Sequence, residues 1–372
     1  MKLKPAPVPL LALLAALVGL FLPLAEGLSL SGWLAPLLLG IALLGALSGG
    51  LAGLTVVAAA SLAGAWLPVL QLTGSGQEAA AGYWLLWLGQ IVAAVAAAGV
   101  LSLVELPPDE DTKLRQRLRN LVPPAVVPVV LLLLWQGLVI GFSVPKGIFP
   151  GIHHVLGQLQ SSLPVLLNDS RVTFINEVAL GLLIGVSTGF LAGVAISLSL
   201  FLRRGFLPLA VAFGAVPIVG LAPVLGRAFG VDWHSKAAVV VIVTFFPVVL
   251  NTVQGLLQVD PLKIELLRAY AARPLTVFLK VRLPNSLPYL FNALKVGVVV
   301  AVISVIVAEF LIPGPPRGLG QRISLSARQG AFDVAFAAIV VSSLFSILAY
   351  SLVSLLERAT TGWHASNRGE EG

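Results

Sequence analysis

The chain has 372 residues, of which 58% are hydrophobic and only 10% charged. Soluble domains carry about 25% charged residues, so this composition excludes a soluble globular enzyme and a disordered regulator. The net charge of +7 fits a protein that concentrates Lys and Arg in loops on one side of a membrane. The chain has no cysteine, so disulfides and thiolate metal sites are excluded.

A membrane-spanning helix needs about 20 mostly apolar residues. Residues 5–25 form the first charge-free window. Lys2 and Lys4 before it resemble a signal peptide, but no small-x-small cleavage pattern follows, so an uncleaved span is expected. Residues 27–77 are too long for one span. Ser48-Gly49-Gly50 is the natural turn, giving helices near 33–47 and 51–70. A fourth window covers 79–104. The segment 105–123 is strongly charged, from Glu105 through Asp109-Glu110-Asp111 to Arg119. It is expected to link an N-terminal four-helix unit, 1–104, to a second unit, 124–358, with a tail at 359–372. Six windows follow, near 124–142, 174–201, 207–229, 236–257, 287–312 and 334–356. The expected fold is all-α and polytopic, with about ten membrane helices.

Ten spans place both termini on one side. With the termini cytoplasmic, the inner segments hold 15 of the 23 Lys and Arg residues and the outer segments six. That bias favours cytoplasmic termini and places the loop 258–286 inside. In this loop Asp260 suits an N-cap and Pro261 the first helical position. Leu262, Leu266, Leu267 and Tyr270 recur at helical spacing, with Lys263 and Arg268 off the stripe. The pattern predicts a short amphipathic helix stopped near Arg273-Pro274, then a second, 275–282, ending before Leu283-Pro284. A membrane-surface helix without a partner shows the same pattern.

The loop resembles a known signature. Glu265 is followed by Ala271 six residues on, and Leu283-Pro284 ends nineteen residues after it. This spacing resembles that of the permease subunit of type I binding-protein-dependent ABC importers, in the branch for sulfonates, taurine, nitrate and vitamin precursors. That family has Glu-Ala-Ala and then Gly; here Leu266 and Leu267 replace the alanines, and Ala271 replaces the glycine. Phe246-Pro247, Asn251-Thr252 and Gly255 precede the loop as in the family. Pro288-Tyr289, Ala308-Glu309, Gly318-Leu319-Gly320 and Ala327-Arg328 are similar to its later landmarks. The resemblance covers about residues 124–358.

The resemblance implies an inner-membrane permease and not an enzyme. Glu265, Leu266, Leu267, Arg268, Ala271, Leu283 and Pro284 would form the loop that couples to a separate ATPase. The implied partners are that ATPase, an extracytoplasmic solute-binding protein and a second copy of the permease. ATP and Mg would be bound by the ATPase, and no cofactor by this chain. The sequence has no G-x-x-x-x-G-K-[ST] phosphate loop, in keeping with this division. Phe245-Phe246-Pro247 with Asn251-Thr252 looks more like permeases for vitamin precursors, such as riboflavin or the thiamine pyrimidine, than like those for sulfonates.

Gly181, Gly185, Gly189 and Gly193 repeat every four residues and predict a close helix contact, within the subunit or across a dimer. Pro217, Gly220 and Pro223 interrupt one window, as a kink or as broken backbone lining a solute path. Phe246, Pro247 and Asn251 are the other candidates for that path. Glu177, Arg227 and Glu309 fall toward outer span ends and Lys295 toward an inner end, which favours structural or gate-rim roles. His153-His154 has no acid or thiol at ligand spacing, so no metal is expected. An ion-coupled carrier or a membrane enzyme would need buried acids or polar clusters, which the windows largely lack. A non-transporting scaffold leaves the signature loop unexplained.

Overall fold

The computed structural model describes residues 7–30, 32–103, 113–213, 217–312, 314 and 318–362. Among these residues every long element is helical, and seven helices are long and apolar enough to cross a membrane. The fold is an all-α polytopic membrane protein. It divides into two compact units, Met1–Leu156 and Gly157–Gly372.

The first unit contains α1 (Pro7–Gly19), α2 (Leu34–Ser48), α3 (Gly50–Leu72), α4 (Ala81–Leu103) and α5 (Lys113–Gly141). The turn expected at Gly49-Gly50 is present, with φ of 63° and 77°, values that suit glycine. The window 5–25 is helical only to Gly19; the chain then reverses through a bridge between Ala25 and Leu28. The linker expected at 105–123 ends differently. Residues 104–112 lie outside the described residues, and from Lys113 the chain is already helical. Helix α5, expected to open the second unit, packs with α3 and α4. The reason is side-chain fit: Tyr83 Oη donates to the Gly137 carbonyl at 2.7 Å, and the ring of Trp84 lies 4.9 Å from that of Phe142. Val126, Val130 and Leu133 of α5 are buried in the same apolar core as Tyr83, Leu86 and Trp87.

The division between units falls inside α6 (Ile152–Ser170). This helix continues through a π-helical stretch, Arg171–Ala179, into α7 (Leu180–Leu198). The expected span 174–201 is therefore the second half of a continuous 47-residue helical segment, more than twice the ~20 residues that one crossing needs.

The second unit continues with α8 (Leu200–Phe213), α9 (Ile218–Phe229), α10 (Trp233–Leu257), α11 (Pro261–Ala269), α12 (Pro274–Val277), α13 (Leu283–Leu311), α14 (Leu319–Arg328) and α15 (Phe332–Thr361). The window 207–229 is not one span: α8 ends at Phe213, and α9 starts after Pro217. Pro217 sits at the N-cap with extended backbone (ψ 107°), where its missing N–H costs nothing.

Helix α10 is the centre of this unit, packed on both α7 and α13. The four glycines of α7 all face it. A Cβ on Gly181 would stand 2.5 Å from Val240 Cβ and 2.8 Å from the Ala237 carbonyl oxygen. One on Gly189 would stand 2.8 Å from the Phe245 carbonyl oxygen, and one on Gly193 2.7 Å from Thr252 Cβ. One on Gly185 would collide with Thr244 Oγ1. The glycine stripe therefore makes a contact within the subunit. It lets two backbones approach closely where lipid supplies no hydrophobic drive for helix association. Lys295 of α13 and Glu357 of α15 form an ion pair at 2.8 Å, so Lys295 does not simply reach for an interface.

Candidate functional site

The loop between α10 and α13 is built on a rigid joint. Asn285 Nδ2 donates to the carbonyls of Gly255 at 2.8 Å and Gln258 at 3.1 Å, near the C-terminus of α10. Tyr289 Oη donates to Gln258 Oε1 at 2.9 Å. Such terminal carbonyls have no partners within their own helix, so these bonds tie α10 to the start of α13.

From this joint α11 projects. Asp260 Oδ1 accepts from Leu262 N–H at 2.9 Å, and Pro261 holds the first helical position, as the sequence predicts. Helix α11 has no buried residue. Its apolar stripe is uncovered: Leu262 is 72% exposed, Leu266 58% and Tyr270 78%. Leu267 is half-buried, and Glu265 and Arg268 are exposed at its flanks.

The helix ends at Ala269, earlier than Arg273-Pro274. Ala272 N–H donates to the Leu267 carbonyl at 3.0 Å, and Ala271 N–H to the Arg268 carbonyl at 2.9 Å. These two bonds form a Schellman cap, whose C′ residue adopts the left-handed conformation. Ala271 is that residue, with φ of 52°. It is not a helical position, and its Cβ is strained there in a way that glycine would not be. Ala271→Gly should relieve about 1 kcal/mol, slowing amide exchange across 267–273 by roughly fivefold. Unchanged exchange would show that the turn carries no strain.

The second short helix does not stop before Leu283-Pro284. Helix α12 runs through a widened π-helical turn, Phe278–Arg282, straight into α13, giving a continuous 38-residue helix, Pro274–Leu311. Inside a helix a proline ring clashes with the carbonyl four residues back. The widened turn directly before Leu283 makes room for Pro284.

The candidate path residues lie elsewhere in this unit. Phe246, Pro247 and Asn251 are half-buried on α10, beside the glycine contact. The Phe246 ring stacks on Phe213 of α8 at 4.9 Å, and Asn251 Nδ2 donates to the Pro247 carbonyl at 2.9 Å. Pro217, Gly220 and Pro223 are exposed on and before α9, and nothing lies within 4 Å of a Cβ at Gly220.

A buried polar centre sits at the N-terminus of α14. Three successive backbone N–H groups donate to side chains of other helices: Gly318 to Asp169 Oδ1 at 3.4 Å, Leu319 to Thr173 Oγ1 at 2.9 Å, and Gly320 to Glu309 Oε2. Thr173 Oγ1 donates to Glu309 Oε1 at 2.9 Å, and Arg322 Nε pairs with Asp169 Oδ2 at 2.8 Å. Asp169, Thr173, Glu177, Lys236 and Glu309 are all at most 3% exposed. Glu177 and Glu309 are therefore not rim residues, and the apolar windows hold more buried charge than their composition implies. Asp169, Thr173 and Lys236 are additional residues of this centre. The sequence signal was the four-residue spacing of Asp169, Thr173 and Glu177, which puts them near one helix face. His153 lies apart, its Nδ1 2.8 Å from Gln136 Nε2.

Residues 181–362 match the family model for the binding-protein-dependent transport system inner membrane component. A probable ABC transporter permease protein of Haemophilus influenzae is 31% identical over 237 residues, 64% of this chain and 96% of that protein. The formylaminopyrimidine transport permease protein ThiX of Halalkalibacterium halodurans is 33% identical over 184 residues, 48% of this chain and 73% of its own length. The riboflavin transport system permease protein RibX of Chloroflexus aurantiacus is 28% identical over 265 residues, 68% of this chain and 97% of its own.

Proposed function

The chain belongs to the family of binding-protein-dependent transport system inner membrane components, and from that premise we propose how it works and what it carries. It is a membrane-spanning ABC importer permease for small solutes, a transport subunit. Its proposed partners are an ATPase bound to α11 and α12, a second copy of the permease and an extracytoplasmic solute-binding protein. ATP and Mg would act in the ATPase, with no cofactor in this chain. Both termini and the loop at 258–286 are proposed to be cytoplasmic, a reading supported by the bias of Lys and Arg.

The observation that carries the docking proposal is the bare apolar stripe of α11, held out by the Asn285 joint. An exposed stripe of large apolar side chains with charged flanks suits a groove on a folded partner. The solute is proposed to be a vitamin precursor of the pyrimidine or riboflavin type. The Phe246–Asn251 stretch and the likeness to ThiX and RibX support this choice.

Membrane vesicles carrying the chain, its partner ATPase and its solute-binding protein should take up such a precursor in an ATP-dependent manner. Excess unlabelled precursor should compete, and taurine should not. Competition by taurine would overturn the solute class. Uptake indifferent to ATP would overturn the importer reading.

A further inference from the structure

Helix α13 ends where its own chain cannot complete its hydrogen bonds. The last carbonyls of a helix need donors from outside it. After Ile312 the chain reads Pro313, Gly314, Pro315 and Pro316, and proline has no N–H. The Ile312 carbonyl is met by Gln321 Nε2 of α14 at 3.3 Å. The carbonyls of Phe310 and Leu311 accept no hydrogen bond among the described residues.

A cavity of about 550 Å³ lies against this helix end. The last turn of α13 forms one wall. Gln321, Ser324, Leu325 and Arg328 form another, and their three- and four-residue spacing puts them on one face of α14. Such a volume suits a small organic molecule. The walls are braced from behind. Ile312 is buried against α9, where a Cβ on Gly226 would stand 2.9 Å from Ile312 Cγ2. The Glu309 carboxyl is occupied, since it accepts from Thr173 Oγ1 and Gly320 N–H.

The groups left for a ligand are therefore the two carbonyls and Arg328. The Arg328 side chain is exposed and has no ion-pair partner among the described residues. Phe310 and Leu325, 39% and 40% exposed, add apolar surface. Helix α13 starts at the Asn285 joint and ends here, so the cavity and α11 stand at its opposite ends.

We propose that this cavity is a reception site for the solute, and that it selects a planar ring with an amino group, as in an aminopyrimidine. The amino hydrogens go to the carbonyls of Phe310 and Leu311. A ring nitrogen accepts from Arg328, and the ring lies against Phe310 and Leu325. An alkyl sulfonate brings no hydrogen for the carbonyls and meets the negative end of the α13 dipole. Taurine brings donors but no ring, and its charges would lose water against Phe310 and Leu325. A lipid tail would leave both carbonyls without a donor. The site rests on the importer reading, in which α11 is inside and this end of α13 receives what the binding protein releases.

The native chain has no cysteine, so one can be placed in the cavity. In the purified full-length chain, Ser324→Cys is treated with a small thiol reagent. The aminopyrimidine of thiamine, as its free hydroxymethyl compound, should slow the reaction at least about fivefold at saturation. Taurine at the same concentration should not. Leu325→Cys, exposed at the rim, takes this role if the first cysteine does not react. His234→Cys, exposed at the start of α10, should react at one rate with and without the pyrimidine. Added to Ser324→Cys, Arg328→Gln should raise the pyrimidine concentration needed for protection at least about tenfold. Arg328→Lys keeps the charge and should raise it less, and Arg204→Gln, exposed on α8, should not change it. Absent protection, equal protection by taurine, or protection indifferent to Arg328→Gln would each overturn the proposal. ATP-dependent uptake of the same pyrimidine by vesicles separates the two readings. Uptake without protection overturns the site and leaves the solute class standing, and loss of both overturns the solute class as well.

Discussion

Leu266→Asp should abolish transport while leaving the permease folded. Leu266 stands in the middle of an exposed stripe, between Leu262 and Tyr270, on a helix with no buried residue. The isolated chain therefore loses almost nothing when the side chain changes. A docked partner loses the apolar contact and must also desolvate a carboxylate. Anchor side chains at interfaces are worth about 2 kcal/mol or more, and an unpaired buried charge adds to that. Recruitment of the ATPase should fall by at least about thirtyfold. The measurement is co-purification of the ATPase with the permease, alongside the unfolding temperature of the permease alone. Normal ATPase binding by the variant would remove α11 as the docking element.

Gly181→Val should have the opposite signature, with loss of the fold itself. Its Cβ would meet Val240 Cβ at 2.5 Å and the Ala237 carbonyl oxygen at 2.8 Å. A carbonyl cannot rotate away as a side chain can, so α7 and α10 must separate. Overpacking costs about 1–3 kcal/mol where neighbours can adjust, and here the neighbours are the unit's central helix. Helix α10 carries both the glycine contact and the joint to the proposed docking loop, so the damage should reach both. Loss of the monodisperse species in detergent, or a large fall in unfolding temperature, is the expected result. Gly205→Ala on α8, where a Cβ meets nothing within 4 Å, is the control and should behave as the native chain. Equal stability of the two variants would mean that the glycine stripe is not a packing contact.

Local features were the most legible in the sequence. The spacing of Gly181 to Gly193 announced a close approach, and Asp260-Pro261 announced the start of α11, because each depends on residues within two turns of one another. The Gly49-Gly50 turn was legible for the same reason. Features made by distant segments were not. Lys236 and Arg322 looked like loop charges, since charge counting assigns every cation near a span end to water. Lys236 is instead buried, and Arg322 is paired with Asp169 because α14 folds back on the stretch 169–177, a pairing across about 150 residues. The break after α8 was ambiguous because Pro217 and Pro223 are compatible with either a kink or a stop. The helix was expected to run on to Arg273-Pro274, and the Schellman bonds from residues 271 and 272 end it at Ala269.

The run from Pro274 to Leu311 has one more implication. One end carries the segment beside the proposed docking loop, and the other carries Glu309, with about 50 Å of continuous helix between them. Such a rod acts as a lever and a driveshaft together. It can tilt or turn, but it cannot shorten, and its soft joints are the widened turn at Phe278–Arg282 and Pro288. Its length is therefore set in units of angle. One residue gained or lost between Lys295 and Glu309 would swing the glutamate by about 100° away from Thr173, even with every other side chain kept.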